Sequence, residues 1–129
     1  VSGQKGSGVG MGVTGDWYNE FGSRLRLRAD AEGLLTGTFE PGAGPAGRRD
    51  LIGRLDVRPG APGVALGWTV AWRDDRAGAA ATTSWNGQYF PDSERIVAGW
   101  LFTTATGPDD AWKSTVIGQD TFRREPPTD

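Results

Sequence analysis

Apolar and polar residues alternate in short stretches along most of the chain. Arg24-Leu25-Arg26-Leu27-Arg28 alternates strictly, the pattern of a strand with one wet and one dry face. This run, Arg24–Ala29, is one of eight that read as strands. The others are Gly15–Asn19, Leu34–Glu40, Asp50–Asp56, Val64–Trp72, Ala80–Phe90, Arg95–Thr104 and Trp112–Arg123. Turn chemistry separates them at Asp30–Gly33, Pro41–Gly47, Pro59–Gly63, Asp74–Gly78, Pro91–Ser93 and Gly107–Asp110. No window sustains a 3.6-residue apolar period. Residues 1–12 are Gly-rich with little to bury and read as a flexible lead-in; residues 125–129, with paired prolines, read as a flexible tail.

Eight short strands in sequence predict an all-β, antiparallel, up-and-down barrel spanning 13–124. Closure removes exposed sheet edges, and eight strands leave room for one small ligand. A β-sandwich is the alternative fold, which strand count does not reject. The length of 129 residues suits one domain with one core.

Composition narrows the chemistry. The chain has no Cys and no His, which removes thiol catalysis, a Ser–His–Asp triad and the usual zinc ligand sets. Net charge is −2, with no basic stripe along the sequence, so neither nucleic acid nor an anionic membrane is an expected partner. No segment reaches the roughly 18 apolar residues that span a bilayer. Asp74-Asp75 and Asp109-Asp110 fall in turn-like segments and read as solvated loops rather than catalytic pairs. Lys113 and Ser114 are neighbours on an expected strand and point to opposite faces.

Strand parity groups the remaining candidates. Trp17 with Asn19, Trp68 with Val70 and Trp72, Ala81 with Thr83 and Trp85, Trp100 with Phe102, and Gly118 with Asp120 and Phe122 each share a face. A single strand Trp is more often core packing than ligand contact, and a single Asp more often a surface carboxylate. Six Trp, however, overfill a small barrel core unless some line a cavity. Aromatic walls with a few fixed polar groups are what a small-molecule pocket needs.

The sequence resembles the avidin family of biotin-binding proteins, its streptavidin-like members most closely, from about Gly12 to Phe122. The resemblance is carried by Gly15-Asp16-Trp17-Tyr18-Asn19 with Gly22-Ser23, Leu34-Leu35-Thr36-Gly37-Thr38 and Ala65-Leu66-Gly67-Trp68-Thr69-Val70-Ala71-Trp72. It continues through Trp85-Asn86-Gly87-Gln88-Tyr89, Trp100-Leu101, Ala111-Trp112-Lys113-Ser114-Thr115 and Gly118-Gln119-Asp120-Thr121-Phe122. It implies a secreted, non-catalytic protein that sequesters biotin without any cofactor or metal. Asn19 and Ser23 would donate to the ureido oxygen, and Asp120 would accept from a ureido N–H. Thr83 would sit near the ring sulfur, and Trp72, Trp85 and Trp100 would wall the rings. Trp112 would close the pocket of a neighbouring subunit in a homotetramer, a homodimer being the alternative.

The sequence also departs from the family pattern. Phe39 stands where a Tyr would donate to the ureido oxygen, and Pro41 where a Ser would accept from the second ureido N–H. Ala81 replaces a Ser at the valerate carboxylate, and Gly44 aligns with a loop Asn; Gln119 stands where an interface His is expected. Backbone groups of Gly42 and Gly44 are candidate substitutes. Each missing partner costs about 1–3 kcal/mol if the ligand atom stays buried, and about 1.4 kcal/mol is tenfold in affinity. The expectation is biotin binding weaker than that of the tightest members. The competing readings are a carrier of another small apolar ligand and an inhibitor or adhesion module acting through its outer surface.

Overall fold

The computed structural model describes residues 12–42, 47–72 and 80–128. The chain forms eight antiparallel strands: β1 (Gly15–Tyr18), β2 (Arg24–Ala29), β3 (Leu34–Glu40), β4 (Arg49–Asp56), β5 (Val64–Ala71), β6 (Ala81–Phe90), β7 (Arg95–Thr104) and β8 (Thr115–Arg123). Each pairs with the next, and β8 returns to β1, so the sheet closes into an up-and-down barrel. Three of the expected strands, β2, β3 and β7, have the boundaries read from the sequence. The last does not. The stretch Pro108–Lys113 winds as a 3₁₀ helix, η1, so Trp112 lies on a helical turn rather than on a strand. Proline sits in its first turn with Asp109 and Asp110, where fixed φ and negative charge both favour a helix start. The expected lead-in falls almost wholly outside the described residues, as do the turn at 74–78 and the middle of the 41–47 loop.

Alternation sets the two faces of the wall. On β2 Leu25, Leu27 and Ala29 are buried while Arg26 and Arg28 are exposed; on β5 Val64, Leu66, Trp68 and Val70 are buried. These residues form the core with Val13, Trp17, Leu35, Ile96 and Phe122.

Closure between β1 and β8 is thin, with Tyr18 and Arg123 as the paired residues. Side chains reinforce it. The Arg124 guanidinium lies 3.7 Å above the Trp17 ring, pairs with Glu94 at 2.9 Å and donates to the carbonyls of Gly12, Thr14 and Asp16. Trp17 is fully buried and its indole N–H donates to the Val13 carbonyl at 2.7 Å. This end of the barrel is filled, and the Trp17 N–H is satisfied within the protein.

Although no basic run exists along the sequence, the ladder assembles one across strands. Arg95 pairs with Arg123, Arg123 with Tyr18, and Tyr18 with Arg24. A row that crosses the sheet is invisible to linear reading because its members come from three distant segments.

Candidate functional site

The other end of the barrel holds a cavity of about 250 Å³ lined by Asn19, Phe21, Thr83, Trp85, Trp100, Phe102 and Asp120. Its polar groups arrive from three directions. Asn19 follows β1 directly, Thr83 lies near the start of β6, and Asp120 lies on β8; all three are buried.

Local structure fixes how each one points. The Asn19 side-chain oxygen accepts from the backbone N–H of Phe21 at 3.0 Å and of Ser23 at 2.9 Å, the pattern of an Asx turn. With its oxygen so engaged, the amide must present Nδ2 on its other side, where it reaches Asp120 Oδ2 at 3.5 Å. The Trp85 indole N–H donates to that same oxygen at 3.0 Å. Among the described residues Asp120 Oδ1 carries no hydrogen bond and is left as an acceptor.

Two hydroxyls are held the opposite way. Thr83 Oγ1 accepts from the Trp72 indole N–H at 2.9 Å, and Ser23 Oγ accepts from the Gly42 backbone N–H at 3.1 Å. A hydroxyl whose lone pair is already used has its proton left to give. The cavity lining therefore offers donors at Asn19 and Thr83 and an acceptor at Asp120, with the Ser23 hydroxyl on the residue that braces Asn19. That set matches a small planar group carrying both C=O and N–H.

The aromatic surround is built by the ladder. Trp68, Trp85 and Trp100 lie in one row, because Trp68 pairs with Trp85 and Trp85 with Trp100. Trp68 and Trp85 stack at 5.6 Å and 15°. Gly118 is opposite Trp100 on β8, and any Cβ there would collide with the Trp100 ring. The glycine is what lets that indole lie against the last strand.

The candidates named from sequence sort into three groups. Asn19, Thr83, Trp85, Trp100 and Asp120 line the cavity itself. Ser23, Phe39 and Trp72 do not line it but brace those that do. The Phe39 ring is 4.8 Å from Trp85 and 5.9 Å from Trp72, and the Ser23 N–H holds Asn19. Trp112 is 82% exposed and is not among the residues lining this cavity. Pro41 is half-buried and Gly42 exposed, with the Gly42 N–H already committed to Ser23. Gly44 lies outside the described residues. Phe21 and Phe102 were not among the expected site residues; Phe102 shares a face with Trp100, and that parity was the available signal. Phe21 comes from a loop and leaves no periodic trace.

A larger hollow of about 840 Å³ lies on the outer wall across β4–β7, beside Ile52, Arg54, Thr69, Ser84 and Leu101. Its Thr69 and Ser84 hydroxyls bond each other at 2.9 Å, whereas the barrel-end cavity keeps an unbonded acceptor at Asp120, so the barrel end is the better small-molecule site. Among the described residues no group of three or more His, Cys, Asp or Glu could hold a metal ion, and no helix is long and apolar enough to cross a membrane.

A closed eight-stranded barrel with one aromatic, polar-fitted end is the architecture of a small-ligand binder. The avidin family model matches residues 9–125, and the chain belongs to the avidin family. It is 30% identical over 121 residues to the avidin-related protein 4/5 of Gallus gallus, covering 87% of this chain and 77% of that one.

Proposed function

We propose that this protein binds biotin reversibly at the barrel end and performs no chemistry on it. The observation that carries the reading is the hydrogen-bonding set around the cavity. Donors at Asn19, Ser23 and Thr83 and an acceptor at Asp120 suit a cyclic urea, whose oxygen accepts and whose N–H donates. Asn19 and Ser23 would meet the ureido oxygen, Asp120 Oδ1 a ureido N–H, and Thr83 the ring sulfur. Trp85 and Trp100 would flank the rings, with Trp72 and Phe39 behind them. The site is already braced by internal hydrogen bonds, so little ordering is needed on binding and more of the contact energy appears as affinity.

The same reading takes 13–124 as one binding domain, and Pro41, Gly42 and Gly44 as the loop over the ligand tail. It assigns the protein to the extracellular space as a biotin-sequestering homotetramer, with Trp112 of one subunit capping the pocket of another. Affinity falls below that of the tightest family members because Phe39, Pro41 and Ala81 supply no side-chain partner. Isothermal calorimetry with biotin tests the proposal: saturable heat with one ligand per chain is expected. An absence of heat together with an unchanged melting temperature would assign the pocket to another ligand or none.

A further inference from the structure

We propose that the outer face of β7, β8, β1 and β2 docks an anionic polysaccharide, independently of the barrel-end pocket. The row Arg95–Arg123–Tyr18–Arg24 crosses four neighbouring strands, a span of about 14 Å at the usual strand spacing. Arg26 and Arg28 extend it along β2 on the same outward face. Arg95 and Arg123 are directly opposed, an arrangement that destabilises a sheet unless an anion lies between them.

The acids on this face offset only part of it: Asp16, Glu20 and Glu40 stand against Arg24, Arg26, Arg28, Arg95 and Arg123, and the Glu20 carboxylate is engaged by the Thr121 backbone N–H at 3.2 Å. Asp16 is shared between Arg24 at 2.6 Å and Arg26 at 2.9 Å. Glu40 stands directly opposite Arg24 and ends the row on that side, while Asp50, opposite Thr38, lies one strand further out. Arg95 is bonded through Nε to Ser93 Oγ at 3.2 Å, which leaves its terminal nitrogens outward. Arg24 Nε is shut off from water and has no partner among the described residues. A hollow beside it is lined by Arg24, Arg26, Thr38, Glu40 and Arg48. The chain as a whole is acidic at net −2, so this concentration of guanidinium is local.

The surface chemistry selects the occupant. Arg forks grip carboxylate and sulfate oxygens in pairs. Single-stranded nucleic acid binders add rows of adjacent aromatic stacking platforms, whereas here the two aromatics of the row, Tyr18 and Phe90, are half-buried and separated by the Arg95–Arg123 pair. Duplex readers insert a helix or ribbon into a groove, whereas this face is the flank of a closed barrel. Thr36 and Thr38 flank Arg28 and Arg26, and Thr121 and Val97 lie beside the Arg95–Arg123 pair, a mainly polar surround with no large apolar anchor among those four, which disfavours a membrane. Repeated anions on a hydroxylated chain fit a flat, polar, arginine-bearing sheet.

The test is retention of the full-length protein on immobilised heparin, with a salt gradient and titration by soluble heparin. Retention at low ionic strength is expected, lost by roughly 0.15 M salt, as for surface charge pairing. Arg123→Glu should weaken heparin affinity about fivefold or more, and Arg95→Glu with Arg123→Glu should abolish retention, with biotin binding unchanged. Arg123→Ser serves as a milder variant should the double one fold poorly, and should weaken heparin affinity by a smaller factor. Arg58→Glu, on an exposed arginine paired with Asp56 in another loop, should change nothing. Passage of the wild type through heparin at low salt would overturn the proposal. So would equal retention of the double variant, or tighter binding to a single-stranded oligonucleotide or to anionic vesicles.

Discussion

The two ends of the barrel use the same residue types to opposite ends. At the filled end Trp17 is fully buried, its indole N–H is bonded to Val13, and Arg124 covers its ring. Tyr89 meets it edge-on at 5.7 Å. At the open end Trp72 and Trp85 also donate their N–H groups, but to Thr83 and Asp120, whose remaining hydrogen-bonding capacity faces a cavity. The first end uses the Trp17 N–H within the protein; the second leaves hydrogen-bonding capacity at Thr83 and Asp120 facing the cavity. Stability should therefore respond most to the first and affinity to the second.

The largest expected effect is at the filled end. Trp17→Ala should cost about 3–5 kcal/mol of unfolding free energy, as for other buried large-to-small changes, read by denaturant titration. Arg124→Ala, removing the cation over that ring and the β1–β8 clasp, should cost about 1–2 kcal/mol while leaving ligand affinity near wild type. A loss of affinity as large as the loss of stability would mean the ends are not separable.

At the open end Asp120→Ala should weaken biotin by about 2–4 kcal/mol, because it orphans a ligand N–H and two protein donors. Stability should fall less than for Trp17→Ala. Trp112→Ala should leave the isolated chain's stability within about 0.5 kcal/mol, since an exposed side chain does not hold the core. If Trp112 closes a neighbour's pocket, biotin affinity and assembled mass should both drop; sedimentation and calorimetry together decide. Phe39→Tyr should tighten biotin by about 1 kcal/mol if its ring edge reaches the ureido oxygen, and no gain would place the ring elsewhere.

The smallest effect is acid dependence outside both ends. The hydrogen bond and charge of Arg24, with help from Arg26, hold the Asp16 carboxyl below its ordinary range. A depressed folded pKa adds stability that is present above the unfolded value near 3.8 and lost as pH falls through the folded one. Melting temperature should therefore fall in that acid window, and less steeply in Asp16→Asn.

The contrast between the ends was only partly legible from sequence. Strict alternation and clear turns defined β2, and parity correctly grouped Thr83 with Trp85 and Trp100 with Phe102. Parity does not show which end of a strand stays open. That depends on the bond from Trp85 to Asp120, 35 residues away, and on the space Gly118 leaves for Trp100. Trp112 was misplaced because its strand-like neighbours, Thr115 onward, masked a helix start at Pro108. The arginine row eluded linear reading because it runs perpendicular to the chain.

The central claim is that the open end keeps hydrogen-bonding capacity for a ligand. Calorimetric titration of the wild type and Asp120→Ala with biotin tests it most directly. The account predicts one biotin per chain for the wild type and a loss of about thirtyfold or more in the variant, with both proteins folded. Equal affinity in the two would contradict it, because the acceptor left free at Asp120 would then play no part in holding the ligand.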